Sequence, residues 1–377
     1  MRQSKIKRFP IQPGTGGSLR RLPAVPVVAI VGATGAVGAE MVACLEQRYF
    51  PLSALRLYAS ARSAGKTMSF IGDEIPVEEL SEASFAGVDV ALFSASATVS
   101  RHFAPIAARE GAVVVDNSSA FRMDPAVPLV VPEVNAETIA GHGGIIANPN
   151  CVVIIAAVAL WPIHRKNRIR RLTLTTYQAA SGAGAAAMEE LRESTRAYLD
   201  GRAYANRVLP HDYAFNLFSH NTSIDRETGY NGEETKVMNE TRKIFGDPEL
   251  RITATCVRVP VLRAHAMSLS LECEQPIDPD EVRSILDDAP GVRVVDDVAN
   301  NRFPMPKDAS GQGDVLVGRI RRDASDPTGR SVMMFAAGDQ LLKGAALNAV
   351  QIAEQLMPRP KARPAAAVPL VERMGVL

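Results

Sequence analysis

Apolar positions in this chain fall into short β-branched runs separated by stretches with helical spacing. Residues 25–31 form the first run, which ends in Gly32-Ala33-Thr34-Gly35-Ala36-Val37-Gly38. Val37, Met41, Val42 and Leu45 then follow at the i, i+4 spacing of an amphipathic helix. Residues 55–58, 88–93 and 111–115 read as further strands, with a helix to about Glu110 between the last two. Strands alternating with helices predict a mostly parallel sheet in an α/β fold. Residues 152–160 are apolar at every position, the mark of a buried helix, and 172–177 is another strand-like run.

Composition narrows the class. With 377 residues the chain has room for two domains and a large core. Lys plus Arg (42) nearly equals Asp plus Glu (41), which gives no electrostatic case for nucleic acid or an anionic membrane as partner. No apolar run approaches the roughly 20 residues of a membrane span. Cys44, Cys151, Cys256 and Cys273 are widely spaced and form no CxxC pair, which fits a reducing, cytoplasmic setting. The histidines show no metal-ligand spacing, so no metal site is expected. Residues 1–24 form a basic, acid-free leader, read as a disordered extension or a transit peptide. The proline-bearing stretch 358–377 reads as a poorly ordered tail.

Two motifs carry chemistry. Strand, glycine turn and helix in that order are the setting of a dinucleotide phosphate site, where glycines let the backbone approach and the helix N-terminus faces the charge. The spacing is GxxGxxG, with Gly32, Thr34, Gly35, Ala36 and Val37 as candidate contacts. The end of the next strand carries no acid to bind a ribose hydroxyl; it carries Ser60, Arg62 and Ser63, which suit a 2′-phosphate and hence NADP. The second motif is Asn148-Pro149-Asn150-Cys151, immediately before the apolar run. A thiol at a helix start is favoured as thiolate, and the free N–H groups there can hold an oxyanion.

These segments resemble the aspartate-semialdehyde dehydrogenase family over roughly residues 25–357. Besides the two motifs, the matching stretches are Asp116-Asn117-Ser118-Ser119-Ala120-Phe121-Arg122, Tyr177-Gln178-Ala179-Ala180-Ser181-Gly182, Asn231-Gly232-Glu233-Glu234-Thr235-Lys236, Arg258-Val259-Pro260-Val261 with His265, and Lys343-Gly344-Ala345-Ala346. The resemblance implies a Rossmann-type dinucleotide-binding domain plus an α/β catalytic and dimerisation domain, a glyceraldehyde-3-phosphate dehydrogenase-like fold. The domains would be 25–150, completed by a C-terminal helix at 342–357, and 151–341. It also implies a homodimer or homotetramer that reduces L-aspartyl 4-phosphate with NADPH, on the route to lysine, threonine, methionine and diaminopimelate. Carried over residue by residue, Cys151 is the nucleophile, His265 the acid/base and Gln178 the orienting amide. Arg258 binds the α-carboxylate, Glu233 the α-ammonium, Arg122 and Lys236 the phosphate. Ser181, Gly182 and Gln340 contact the cofactor.

Alternatives remain. The run from Glu233 to Lys243 also reads as an exposed helix face laced with ion pairs. Val152 and Val153 stand where the family has a small hydroxyl residue, and Gln340-Leu341-Leu342 replaces Asn-Leu-Arg. The rival enzyme, N-acetyl-γ-glutamyl-phosphate reductase, carries His-Pro-Gly-Cys-Tyr at the nucleophile. An inactive paralogue that binds NADP is the rival from another class.

Overall fold

The computed structural model describes residues 21–358. The β-branched runs become strands of a seven-stranded sheet: β1 (Val27–Val31), β2 (Ala54–Ala59), β3 (Thr67–Phe70), β4 (Asp73–Glu79), β5 (Val90–Phe93), β6 (Val113–Asp116) and β7 (Ile145–Ala147). Their order is β3-β4-β2-β1-β5-β6-β7, and every neighbouring pair is parallel except β3 with β4. The half-exposed β3–β4 hairpin has no apolar alternation strong enough to stand out in the sequence. The chain leaves β1 on one side for β2 and comes back on its other side for β5. A crevice therefore opens at their C-terminal ends, the switch point where open α/β sheets hold ligands. The helix α1 (Ala36–Gln47) starts at that crevice, and α2 (Ala97–Arg109) and the short α3 (Pro132–Asn135) follow.

The all-apolar stretch becomes α4 (Cys151–Lys166), with its residues from Val152 to Leu160 all buried. One continuous core runs from Val31 and Val114 of the first sheet through α4 to Leu174, Met267 and Met334 of the second. That second seven-stranded sheet comprises β8 (Ile169–Gln178), β9 (Phe218–Ser219), β10 (Arg251–Arg258), β11 (His265–Cys273), β12 (Val292–Val294), β13 (Val315–Arg322) and β14 (Ser331–Gly338). Its order is β12-β13-β14-β11-β8-β10-β9. The helices α5 (Ala185–Leu199), α6 (Gly232–Phe245), α7 (Pro279–Asp287) and α8 (Pro306–Ala309) lie between its strands in the chain. β8 and β10 run parallel and end in register, while β11 runs antiparallel to β8. Gln178 and Arg258 close their strands and His265 opens its own, so topology alone brings the three to one end of the sheet.

The C-terminal segment is a π-helical turn, Leu342–Ala346, continuing into α9 (Leu347–Leu356). Val350, Ile352 and Ala353 of α9 join Met41 of α1 and Ile30, Leu57 and Leu92 on the other face of the first sheet. Most of the expected leader and tail lies outside the described residues. Leu22 corrects the leader's boundary: it is buried, and its N–H donates to Leu356 O at 2.9 Å, because an apolar side chain there completes the packing around α9. Among the described residues no helix is long and apolar enough to cross a membrane.

Candidate active site

Cys151 is the first residue of α4, and Asn150 caps the helix: its Oδ1 accepts from Val152 N (2.9 Å) and Val153 N (3.4 Å). Two N–H groups expected to hold an oxyanion are thus already engaged, and the cap is supplied from before the cysteine rather than by a hydroxyl after it. The turn is pinned from two directions. From α6, Glu240 Oε2 accepts the Asn150 N–H (2.7 Å), and Glu233 Oε1 accepts from Asn150 Nδ2 (2.8 Å). From the C-terminal segment, Asn348 Nδ2 donates to Asn148 Oδ1 (2.6 Å), whose own Nδ2 donates to Asn117 Oδ1 (2.6 Å). Asn348 is itself held by the fully buried Lys343, whose ammonium also pairs with Glu133 at 2.6 Å. Gly344, in the π-helical turn, faces the nucleophile so closely that a Cβ there would lie 3.0 Å from Cys151 Cβ.

Burial pushes the Cys151 thiol up to about 12, the Glu233 carboxylate adds to the push, and Arg122 and Arg258 oppose it. The helix N-terminus alone predicts the opposite direction. About half a charge at one helix end is outweighed once two domains fold over the turn and strip its water.

A cavity of about 740 Å³ lies between the two sheets. Cys151, Gln178, Arg258, Glu233, Lys236 and Arg122 line it, as do Val37, Ser181, Gly182 and Gln340 of the expected cofactor set. The α6 segment is no solvated face: Glu233, Glu234 and Glu240 are all buried, and Lys243 Nζ donates to the carbonyls of Arg122, Asp124 and Val127. Asn231 and Glu234 form a capping box that starts the helix. Glu233 points back at the nucleophile turn. Burial alone would raise its carboxyl, but the His220 ring, Lys236 and the Asn150 amide hold it at about 2. Arg122 is a brace as well as a wall, donating to Asn148 O (3.0 Å) and Asn117 O (2.7 Å) and pairing with Glu240 (3.2 Å). Gln178, 1 % exposed, donates to Glu233 Oε1 at 3.3 Å. Gln340 bridges Ser181 Oγ and the Ala264 N–H.

His265 is fully buried and does not line the cavity directly; it sits behind Gly182, where a Cβ would lie 3.0 Å from His265 Nε2 and 3.1 Å from Arg258 Nη1. Its Nδ1 accepts the Ala179 N–H at 3.0 Å, which places the ring proton of the neutral imidazole on Nε2. Burial and then Arg258 lower its pKa to about 3. The resemblance implies an acid/base at His265; in this tautomer the neutral ring presents its Nε2–H as a hydrogen-bond donor. Arg263 secures the loop before it, bridging Glu40 of α1 and Asp339 at 2.6 Å each, while Ala264 holds a strained φ of +71°.

The remaining cofactor candidates sit around the glycine turn rather than on the cavity wall. Gly32 has φ +82°, and a Cβ there would lie 2.1 Å from Ser94 O. Gly35 caps α1 with no side-chain hydrogen bond, so the first turn offers its N–H groups, with Thr34, Gly35, Ala36 and Val37 around them. Beyond β2, Ser60 and Arg62 are exposed and Ser63 is buried. Among the described residues Arg62 makes no ion pair. Sequence reasoning missed His220, Glu240, Asn348 and Gly344; only the Lys343-Gly344 stretch carried any signal.

Comparison with known proteins agrees with this geometry. Residues 27–142 match the family model for the semialdehyde dehydrogenase NAD-binding domain, and 160–343 the semialdehyde dehydrogenase dimerisation domain. An aspartate-semialdehyde dehydrogenase from Synechocystis is 52% identical over 320 residues, covering 85% of this chain and 94% of that one. The Bacillus subtilis enzyme of that name is 45% identical, over 84% of this chain and 93% of its own. A crystal structure of aspartate semialdehyde dehydrogenase II from Vibrio cholerae complexed with ASA superposes with a TM-score of 0.86 at 43% identity, covering 89% of this chain and 98% of that one. A Candida albicans aspartate semialdehyde dehydrogenase with NADP superposes at 0.67 and 25% identity, covering 88% and 98%. With the Rossmann sheet, the capped cysteine and the charged cavity in one molecule, the chain belongs to the aspartate-semialdehyde dehydrogenase family.

Proposed function

We propose that this protein reduces L-aspartyl 4-phosphate to L-aspartate 4-semialdehyde through a thioester on Cys151, with NADPH as the preferred reductant. The observation that carries it is the cavity itself, which sets a capped cysteine between an ionised glutamate and two arginines. Arg258 offers a fork to the α-carboxylate, and its buried Nε has no partner among the described residues. Glu233, ionised, meets the α-ammonium. Lys236 and Arg122 face the phosphate. Cys151 attacks the acyl carbon, the C–O bond to phosphate breaks, and the thiol proton leaves with the phosphate. The Nε2–H of neutral His265, buried and otherwise without a partner among the described residues, is a hydrogen-bond donor for the oxygen that becomes negative when the thioester is reduced. That oxygen re-forms a carbonyl as the C–S bond breaks, and Cys151 leaves as thiolate. Gln178 orients that carbonyl.

The residues fit a dinucleotide: the uncapped start of α1, reached through the tight Gly32 turn, suits a pyrophosphate, and exposed Arg62 suits a 2′-phosphate. When bound, that group supplies the hydride. The reading of a homodimer rests on the matched dimerisation segment and on exposed Tyr198, Leu199, Phe215 and Leu217 within it. The four free thiols suit a cytoplasmic setting.

The test is phosphate-dependent oxidation of aspartate semialdehyde by Cys151→Ser and Arg258→Lys. Turnover by Cys151→Ser at the wild-type rate overturns the thioester; an unchanged semialdehyde KM in Arg258→Lys removes the carboxylate role.

A further inference from the structure

His220 stands on the cavity wall beside Arg258, although no sequence pattern pointed to it. It is presented by β9, a two-residue edge strand that pairs Phe218 with Arg258 and Ser219 with Val257. The His220 N–H closes the ladder by donating to Cys256 O at 2.8 Å. Its Nε2 lies 2.9 Å from Arg258 Nη2. A guanidinium has no acceptor, so the imidazole nitrogen accepts and the ring proton sits on Nδ1. That nitrogen lies 3.3 Å from Thr222 Oγ1, which also accepts the Glu233 N–H at 3.0 Å and donates to Asn231 Oδ1 at 3.4 Å. Asn231 caps α6.

We propose that His220 is a positioning residue for substrate recognition: its lone pair fixes the plane of the Arg258 fork, and through Thr222 it ties that fork to the start of the helix bearing Glu233. The two groups read as holding the carboxylate and the ammonium of the substrate thereby become one jointed clamp. The inference rests on that reading of Arg258 and Glu233. Arg258 Nη1 is fixed independently by Ala179 O at 3.2 Å. Two of its three nitrogens are therefore held, and rotation of the fork is blocked. The groups facing His220 are Arg258 from β10, Glu233 and Lys236 from α6, and His265 from β11. Burial first, with Arg258 and Lys236 helping, keeps the ring neutral by lowering its pKa to about 4. The accepting lone pair is thus present throughout the neutral range.

The experiment measures KM for aspartate semialdehyde, phosphate and NADP separately in the full-length wild type, His220→Leu, His220→Gln, Arg258→Lys and the Arg258→Lys/His220→Leu double variant. His220→Leu raises the semialdehyde KM about tenfold, while the other two stay within about twofold. His220→Gln, whose Oε1 still accepts from Arg258, recovers to within about threefold of wild type. In the Arg258→Lys background the leucine adds less than about twofold, because the group it positions is gone. The proposal is overturned if His220→Leu leaves the semialdehyde KM unchanged, if all three KM values rise together, or if the two substitutions are additive. An Arg258→Lys enzyme with wild-type semialdehyde KM overturns the underlying carboxylate reading instead, and the proposal with it.

Discussion

Replacing Gly344 with alanine tests whether the C-terminal segment sets the nucleophile's position. An alanine Cβ at 344 would lie 3.0 Å from Cys151 Cβ, 3.4 Å from Cys151 Cα and 3.2 Å from Gln340 Cβ. Carbon atoms rest at about 3.5–4.0 Å, so something must yield by roughly 0.5–1 Å. The backbone of Gly344 is held inside the π-helical turn, and its N–H donates to Asp339 O at 3.0 Å. The start of α4 is held by Asn150, Glu240 and Asn348. Rotation of the cysteine side chain moves only Sγ and leaves Cβ in place, so relief comes from a shift of the Cys151 backbone that carries the sulfur with it. A displacement near 1 Å at a reacting atom costs on the order of 100-fold in rate. Stability moves much less: overpacking costs about 1–3 kcal/mol, and exchanging glycine for alanine in a helix returns about 1 kcal/mol. The expected Gly344→Ala enzyme is folded, with a melting temperature near wild type and kcat for phosphate-dependent semialdehyde oxidation lower by about 10- to 100-fold. A folded variant with kcat within about threefold of wild type refutes the reasoning, because the close contact would then have relaxed without moving the sulfur.

Cofactor choice is checked with Arg62→Ala, which lowers the ratio of kcat/KM for NADPH over NADH by about tenfold; an unmoved ratio removes Arg62 from the 2′-phosphate site. Alkylation of Cys151 by iodoacetamide in the free enzyme accelerates with pH through 9 without levelling, since the thiol is raised to about 12; a plateau below pH 8 contradicts that direction. His220 and His265 have folded pKa values lowered from 6.5 to about 4 and about 3. The unfolded chain therefore binds protons that the folded chain refuses, and the stability these groups contribute, present above pH 6.5, is lost as pH falls toward those values. Urea midpoints measured between pH 7 and 4 fall accordingly, with a shallower slope in His220→Leu; equal slopes contradict the assignment.

Much of this molecule is legible in its sequence, for local reasons. The glycine turn follows a β-branched strand and opens an amphipathic helix, so it declares itself within about twenty residues. The all-apolar run after Cys151 announces a helix buried on every face. What stays hidden depends on the other domain. Glu240 reads as one more charge on a polar helix until the fold sets it under Asn150 and Arg122. His220 directly follows a strand of two residues, too short for any periodicity. The direction of the Cys151 shift is set by desolvation, and a helix start carries no record of what will be laid over it. His265 was singled out by resemblance alone, and only the Ala179 N–H reveals which nitrogen holds its proton.

Asn148 and Asn348 touch across 200 positions of chain. During synthesis, at about 5–20 residues per second, the cysteine is made roughly 10–40 s before the segment that braces it. A nascent chain therefore carries the thiol without its floor, in a half-built site exposed to water. The dehydrogenase gains its aligned sulfur only when the ribosome has delivered the glycine that lies against it. Slow codons or a translational pause between the two would prolong the interval in which that cysteine meets cellular oxidants unprotected.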